Sequence, residues 1–418
     1  MRFSKNAKVI SLAFLLAAFV SCRGEGEIRH VKQVRFSWWG KEARSEYTKK
    51  GIEAFNSENA YINVVGEDFS WIGYEADFEK EFLSGSSADV MQINFDWLDK
   101  YSSDGNGFFD LNNLSDTIEL YNFTLDDLSY GTKNRKLNAI PVSFNTLVPI
   151  FSKKVFVDNA LNVPSTWLDL FECAKVLRKS DMYVLGLGEK QFFLLCLAWF
   201  EQTYSKKMFL DNATFTPSNL ELISLFNFAQ SLITSHVVYP YPDTFSAQDL
   251  KTRRIAGVFV WCNESAKYAE AIDDNLGESV LGCFIKNESA SESGWYLKPA
   301  LMYAIKKDTQ NPKEAAKFMN YLLNDQSFAL LQGNEKGVPA SNKAFTSLLE
   351  NNRLESLQYE ALMCIRFNRS KISKMLAIME NSDIVKSFCD NTFDLASKKK
   401  SASEASDSFR ETIYSVIR

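Results

Sequence analysis

Residues 34–56 read VRFSWWGKEARSEYTKKGIEAFN, and the change of period inside this stretch decides the fold class. Val34, Arg35, Phe36 and Ser37 alternate apolar and polar, as in a strand, and two adjacent tryptophans, Trp38 and Trp39, close the run. Gly40 breaks it. From Glu42 onward Ala43, Tyr47, Ala54 and Phe55 recur near helical spacing. The alternation then repeats. Residues 61–66 (YINVVG) read as a second strand. Residues 73–85 (GYEADFEKEFLSG) read as a second helix, with Phe78 and Phe82 four apart and Gly85 as its stop. Residues 88–95 (ADVMQINF) read as a third strand. Strand, helix, strand, helix, strand predicts right-handed crossovers, a largely parallel sheet and the α/β class.

The remainder is mixed. Pro164 followed by Ser165 or Thr166 as cap opens a helix in residues 163–180. Residues 253–272 read as a strand, a turn at Cys262 to Glu264, and a helix. In residues 311–325 Asn311 serves as cap, Pro312 takes the first helical position, and Phe318 and Leu322 share a face. The C-terminal segment carries the basic run Lys398 to Lys400, a solvated face. It then places Phe409, Ile413, Val416 and Ile417 on one side, as a helix docking on the body would.

With 418 residues, 46% of them hydrophobic, the chain is long enough for two domains or more. A net charge of −5 supplies no basic field, so nucleic acid is not an expected partner. The N-terminus reads as a secretory signal over residues 1–21: Arg2, Lys5 and Lys8 precede the apolar run Val9 to Val20 and the small Ser21. That run is too short to span a membrane comfortably. Residues 22–34 read as a polar tether. Six further cysteines, Cys173, Cys196, Cys262, Cys283, Cys364 and Cys389, include no C-x-x-C, and no disulfide is assigned. Cys196 and Cys262 lie in apolar runs, as buried thiols do.

In an open α/β sheet, ligands bind beyond the carboxyl ends of the strands. Each of the first three strands brings tryptophan near that end. The first gives Trp38 and Trp39. The second is followed by Glu67, Asp68 and Trp71, the third by Asn94, Asp96 and Trp97. A later strand ends on Trp261 and Asn263. Indoles beside amides and carboxylates suit a carbohydrate, whose C–H face packs on aromatic rings while its hydroxyls need fixed polar partners. Any one of these tryptophans serves equally well as a wedge between sheet and helix, and Trp167, just after a helix cap, is assigned that role. Signals for catalysis are thin. His30 lies in the tether and His236 stands alone, no Walker A motif occurs, and no His or Cys cluster has metal spacing. No catalytic residue, metal or cofactor is therefore expected. Paired carboxylates for glycoside hydrolysis would be spatial rather than sequential, so that chemistry stays open.

With those residues in view, the chain resembles the extracellular solute-binding proteins of carbohydrate ABC transporters, the family that includes the maltose-binding type. The stretches carrying the resemblance are residues 34–56, SGSSADVMQINFDWLDKY (84–101), LNAIPVSFNTLVPIFSKKVF (137–156), NVPSTWLDLFECAKVL (162–177), NPKEAAKFMNYLLNDQ (311–326) and KGVPASNKAF (336–345). Cys22 after Ser21 resembles the lipidation site of a bacterial lipoprotein, although Phe19 stands where leucine is usual. The chain departs from the family's habit at Lys41, often a second glycine, and in LGLGEKQFFLLCLAW (185–199), where a Gly- and Trp-rich segment is common.

The resemblance implies a two-lobe periplasmic-binding-protein-like fold of type II, with a cleft between lobes crossed by several segments. Lobe 1 would take residues 35–146 and 300–340, and lobe 2 residues 147–299 and 341–418. It implies an exported monomer, anchored to the membrane through lipid on Cys22 and facing the periplasm or cell exterior. Such a protein hands a sugar or small oligosaccharide to permease subunits. The implied ligand-binding residues are Trp38, Trp39, Arg44, Asp68, Trp71, Asn94, Asp96, Trp97, Asn145, Trp261, Asn263 and Trp295, with Trp39 favoured over Trp38 because strand neighbours face opposite ways. Three alternatives stand beside it: a lipid-anchored receptor or adhesin, a surface glycosidase, and a binder of a non-sugar such as a polyol phosphate. The last would want more cations at the rim than Lys41 and Arg44.

Overall fold

The computed structural model describes residues 30–417 apart from 41, 212–213, 241–244, 273–278, 334 and 354–355. The residues read as a signal, 1–21, together with Cys22 and Lys41, lie outside the described residues. The opening stretch forms β1 (Lys32–Trp39), α1 (Ala43–Glu58), β2 (Ile62–Phe69), α2 (Trp71–Ser84) and β3 (Val90–Ile93). β1 is central and parallel to both neighbours, with Trp38 level with Asp68 and Phe36 level with Val90. Gly85 ends α2 at φ 71°, where a side chain would be strained.

Beyond β3 the sheet is no longer parallel. β4 (Ala139–Asn145) leads through Thr146 directly into β5 (Leu147–Ser152). A second sheet adds β6 (Tyr183–Gly186), β7 (Ile255–Trp261) and β8 (Ser279–Leu281) in the order β8-β5-β7-β6. The chain returns on β9 (Tyr296–Ile305), which runs antiparallel to both β3 and β4, and β10 (Val338–Pro339) closes the far edge. The first sheet is thus mixed. A strand that re-enters from the second lobe arrives pointing the other way, an effect that local periodicity does not register.

The two lobes have distinct interiors. In the first, Phe36 stacks on Trp38 at 5.1 Å and meets Tyr303 and Phe318 edge-on. In the second, Phe193, Phe226, Phe388 and Phe409 form one ring cluster with centroids 5.2–6.5 Å apart. Phe409 belongs to the last helix, Ala402–Ile417, which packs on the helices Asn219–Thr234 and Ser382–Ala396. Cys196 and Cys262 are buried, and burial pushes the Cys262 thiol up to about 12.

Helix boundaries follow local chemistry. Thr166, not Ser165, caps Trp167–Leu177: its Oγ1 accepts from the Asp169 N–H at 3.2 Å and the Asp169 carboxylate accepts from the Thr166 N–H at 2.9 Å. Pro312 opens Pro312–Asn324 as expected. Asn311 holds the cap position as expected, but its side chain makes no capping bond, and its amide donates to the Gln33 carbonyl. Asn342–Glu350, expected with lobe 2, packs on Pro312–Asn324, Gln326–Gln332 and β10, all on the first sheet's side. Among the described residues no helix is long and apolar enough to cross a membrane.

Gly66 on β2 marks how tightly α1 closes on the sheet. A Cβ there would lie 2.7 Å from Ile52 Cδ1 and 2.8 Å from Trp38 Cζ3. Gly66→Ala is expected to cost about 1–3 kcal/mol by overpacking. The check is a lower urea midpoint with an unchanged slope.

Candidate functional site

Trp38 and Trp39 separate as neighbours on a strand must. Trp38 is 1% exposed, shares a face with Phe36, and its indole N–H has no partner among the described residues. It is core, not cleft wall, which corrects its place among the binding residues. Trp39 points the other way, against Trp71, Tyr74 and Trp97 at 5.1, 5.3 and 6.0 Å. Its backbone carbonyl accepts from the buried Gln92 amide at 3.0 Å.

Trp39 forms one wall of a cavity of about 210 Å³ where the two lobes meet. Arg44 from the first turn of α1, Leu301 from β9 and Lys336 from the loop before β10 line it from the same lobe. Trp261, Asn263 and Glu264, at the end of β7 and in the turn after it, face them from the other. Asn145 and Lys298 sit where β4 and β9 cross between lobes. Asn145 Nδ2 donates to Asn263 Oδ1 at 2.6 Å, tying crossover to turn. Five residues expected from sequence, Trp39, Arg44, Asn145, Trp261 and Asn263, therefore share one cavity.

The other expected residues go elsewhere, for definable reasons. Asp68 is level with Trp38 in a parallel ladder, so both point toward α1. There the carboxylate accepts from Ser45 at 2.5 Å and Lys49 at 2.8 Å. Trp97 is 1% exposed and packs on Phe78 at 4.6 Å. Trp295 stacks on Phe259 and donates to the Ile285 carbonyl, lining a separate hollow of the second lobe. Trp71, 49% exposed, backs Trp39 without lining the cavity. The Asn94 carbonyl accepts from the Trp97 N–H and opens the short helix Trp97–Tyr101. Trp167 packs against Phe228 as a wedge, and His236 stacks on Tyr183 in the second lobe.

Lys298, Lys336 and Glu264 were missed. Lys298 had a signal, a lone cation inside the apolar strand YLKPALMYAI. Its ammonium lies 4.5 Å from the centre of the Trp261 ring and 2.8 Å from Glu380 Oε1. Glu380 also accepts from Lys190 at 2.7 Å. Burial pushes the Glu380 carboxyl up, but the charges of Lys298 and Lys190 outweigh it and hold it below its ordinary value. Lys336 had none, since NEKGVP reads as a surface turn. Yet it is 1% exposed, and its ammonium donates to the Tyr303 hydroxyl at 2.8 Å. Its loop is pinned three ways. Arg44 donates to the Glu335 carbonyl at 2.7 Å and the Ser143 hydroxyl to the Lys336 carbonyl. Gly337, at φ 104°, passes so close to the Phe144 carbonyl that a Cβ would lie 2.7 Å from it.

Asp96 does not line the cavity but lies close behind it. Its Oδ1 is buried without a partner among the described residues. Burial, then the charges of Glu380 and Glu75, push its pKa up to about 6. A carboxyl raised in this way stabilises the fold fully below about pH 4, and that contribution is lost as pH rises toward 6. Asp96→Asn is thus expected to raise stability at pH 7 by about 1–2 kcal/mol and to flatten its change between pH 4 and 6. Urea midpoints at pH 4.5 and 7 check both. Equal midpoint shifts at the two pH values contradict it.

Comparison with known proteins places this geometry. A periplasmic solute-binding protein from Pectobacterium atrosepticum is 26% identical, with 93% of this chain and 99% of that one aligned and a TM-score of 0.84. A periplasmic oligogalacturonide-binding protein from Yersinia enterocolitica, in complex with saturated digalacturonic acid, is 25% identical over 92% of this chain and all of that one, with a TM-score of 0.81. A chain described as a de novo designed cysteine esterase is also 25% identical, over 93% and 99%, with a TM-score of 0.84. Residues 50–347 match the family described as bacterial extracellular solute-binding protein. Two lobes joined by crossing strands match the fold of these solute-binding structures, and this chain belongs to the bacterial extracellular solute-binding proteins.

Proposed function

We propose that the protein captures a short saccharide in the interlobe cavity, an acidic one in preference, and presents it to the permease of an ABC transporter. The observation that carries this is the cavity lining: Trp39 and Trp261 from opposite lobes, the Asn145–Asn263 amide pair, and three cations, Arg44, Lys298 and Lys336, against one carboxylate, Glu264. Indoles take the apolar face of a pyranose, and fixed amides take its hydroxyls. The cationic excess suits a carboxylate on the sugar, and the digalacturonate bound by the Yersinia protein supports the same class. A cavity below the roughly 300–1,000 Å³ of drug-sized pockets favours a short ligand.

Division of the chain into lobes at the crossings 145–147 and 296–298, with a third beyond Glu350, is part of this proposal, as is closure of the lobes on the ligand. Closure is favoured only by contacts that exist in the closed state, and two walls from different lobes are such contacts. Export through residues 1–21 and anchoring by lipid on Cys22 complete it, with the mature protein acting as a monomer. Capture rather than hydrolysis is the favoured chemistry, because the cavity lining offers one carboxylate, Glu264, among the described residues, where glycoside hydrolysis uses a pair.

The test is a panel of neutral sugars and their uronic-acid counterparts, including digalacturonate, read by melting temperature and tryptophan fluorescence. The expected result is a response to the acidic members. Trp39→Ala and Trp261→Ala should each weaken binding by about ten- to thirtyfold, roughly 1.4–2 kcal/mol. Trp38→Phe should lower stability and leave affinity within about twofold. A panel without any response ends the saccharide proposal. Separately, Cys22→Ser should abolish incorporation of labelled fatty acid into the protein.

A further inference from the structure

Three cations line the cavity, and they differ in how their charge is met. Lys298 is paired with Glu380 at 2.8 Å. Arg44 rests on the Glu335 carbonyl at 2.7 Å. Lys336 is the most enclosed, and among the described residues no carboxylate pairs with it. Its ammonium has the Tyr303 hydroxyl at 2.8 Å, with the Tyr303 and Tyr47 rings centred 5.2 and 5.7 Å away. Burial drives both tyrosines toward the neutral phenol, so neither supplies a negative charge near neutrality. A buried ammonium with no counter-charge is costly to the empty protein. The loop that delivers it is nonetheless fixed by Arg44, Ser143 and Gly337.

We propose that Lys336 supplies the counter-charge for one anionic group of the ligand, a carboxylate on the sugar, and that above neutral pH binding takes up one proton at its amine. This rests on the saccharide proposal above and assigns the residue that selects for acid within it. The step is R–NH₂ plus H⁺ giving R–NH₃⁺, drawn from solvent, and the ammonium then pairs with the incoming carboxylate with no covalent change in the ligand.

The charged and titratable groups around Lys336 come from every wall. α1 contributes Arg44 and Tyr47, β9 contributes Lys298 and Tyr303, the loop itself contributes Glu335, and Glu264 faces from the turn after β7. β4 contributes the uncharged Ser143 and Asn145. Burial first, then the like charge of Arg44, lower the Lys336 amine to about 7. An anion in contact with it restores the charged form. The sign follows. Below pH 7 the amine is already charged and no proton is taken up. Between about pH 7 and the ordinary lysine range the complex holds one proton more than its separated parts, so affinity falls by up to about tenfold per pH unit.

The experiment is calorimetric titration of the wild-type protein with digalacturonate and with galactobiose. Each is measured at pH 6 and pH 8.5, in two buffers of different ionisation enthalpy. Expected are proton uptake approaching one for digalacturonate at pH 8.5, little at pH 6, and none with galactobiose. Lys336→Gln, which keeps a donor for Tyr303 without charge, should weaken digalacturonate at pH 6 by roughly ten- to a hundredfold and abolish the uptake. Digalacturonate bound without proton uptake at pH 8.5, or galactobiose bound equally well, overturns the role of Lys336 and leaves the saccharide proposal standing. No heat from either sugar, with no melting shift from any member of the panel, overturns both. The wild-type measurements decide the matter even if the variant does not fold.

Discussion

Everything at the cavity depends on one run of backbone. β4 and β5 are a single extended segment interrupted only at Thr146, and the segment belongs to both sheets. The Thr146 hydroxyl donates to the Tyr296 carbonyl at 2.7 Å, and its own carbonyl accepts from the Cys262 N–H at 3.0 Å. Two crossing strands and the turn after β7 are thereby locked at one point. Asn145, Lys298 and Asn263 reach the cavity because their backbones are held there. A residue near a crossing has no choice of lobe, so its side chain stays in the cleft whichever way the lobes move. Walls such as Trp39 and Trp261 line the same cavity from opposite sides.

The second theme is charge carried inward at a cost. Lys336, Lys298, Glu380 and Asp96 sit in or just behind the cavity; burial shifts Lys336, Lys298 and Asp96 toward their neutral forms, while at Glu380 the charges of Lys298 and Lys190 outweigh it. Lys298 and Glu380 answer each other. Among the described residues Lys336 has no acid, and Asp96 Oδ1 has no donor. A chain selected for stability alone would place apolar groups at these positions. Their retention in a cleft between lobes suits a protein whose empty state waits for a partner of complementary charge.

How much of this was legible beforehand depends on the range of the interaction concerned. The first five elements follow from period alone, because a strand and a helix each write their own spacing. Alternation along one strand was also enough to separate Trp38 from Trp39, and the parallel ladder adds the level of neighbouring strands. Carried one step further, the same ladder sets Asp68 level with Trp38 and thus on the wrong face, an inference the sequence allowed once register was known. The antiparallel β9 was not legible, since its direction is fixed by the path through the second lobe. Lys336 was not legible either. Its burial arises from contacts with residues 44, 143 and 303, all far away in sequence, while locally it looks like a turn.

The tryptophans at the strand ends show how a sound pattern can carry the wrong detail. Several ends do bring indoles together, but they are not a row of separate platforms for sugar. Trp71, Tyr74 and Trp97 surround Trp39, and Phe78 and Tyr101 back Trp97. One ring presents its surface to the cavity, and the rest immobilise it. A large flat side chain held by three other aromatic rings loses little rotamer freedom when a ligand arrives, so more of the contact energy appears as affinity. The aromatic content near these strand ends is thus better explained as one wall and its buttress. Trp261, on the other lobe, is braced differently, by the ammonium of Lys298 over its face, so the two walls of the cleft are built on different physics.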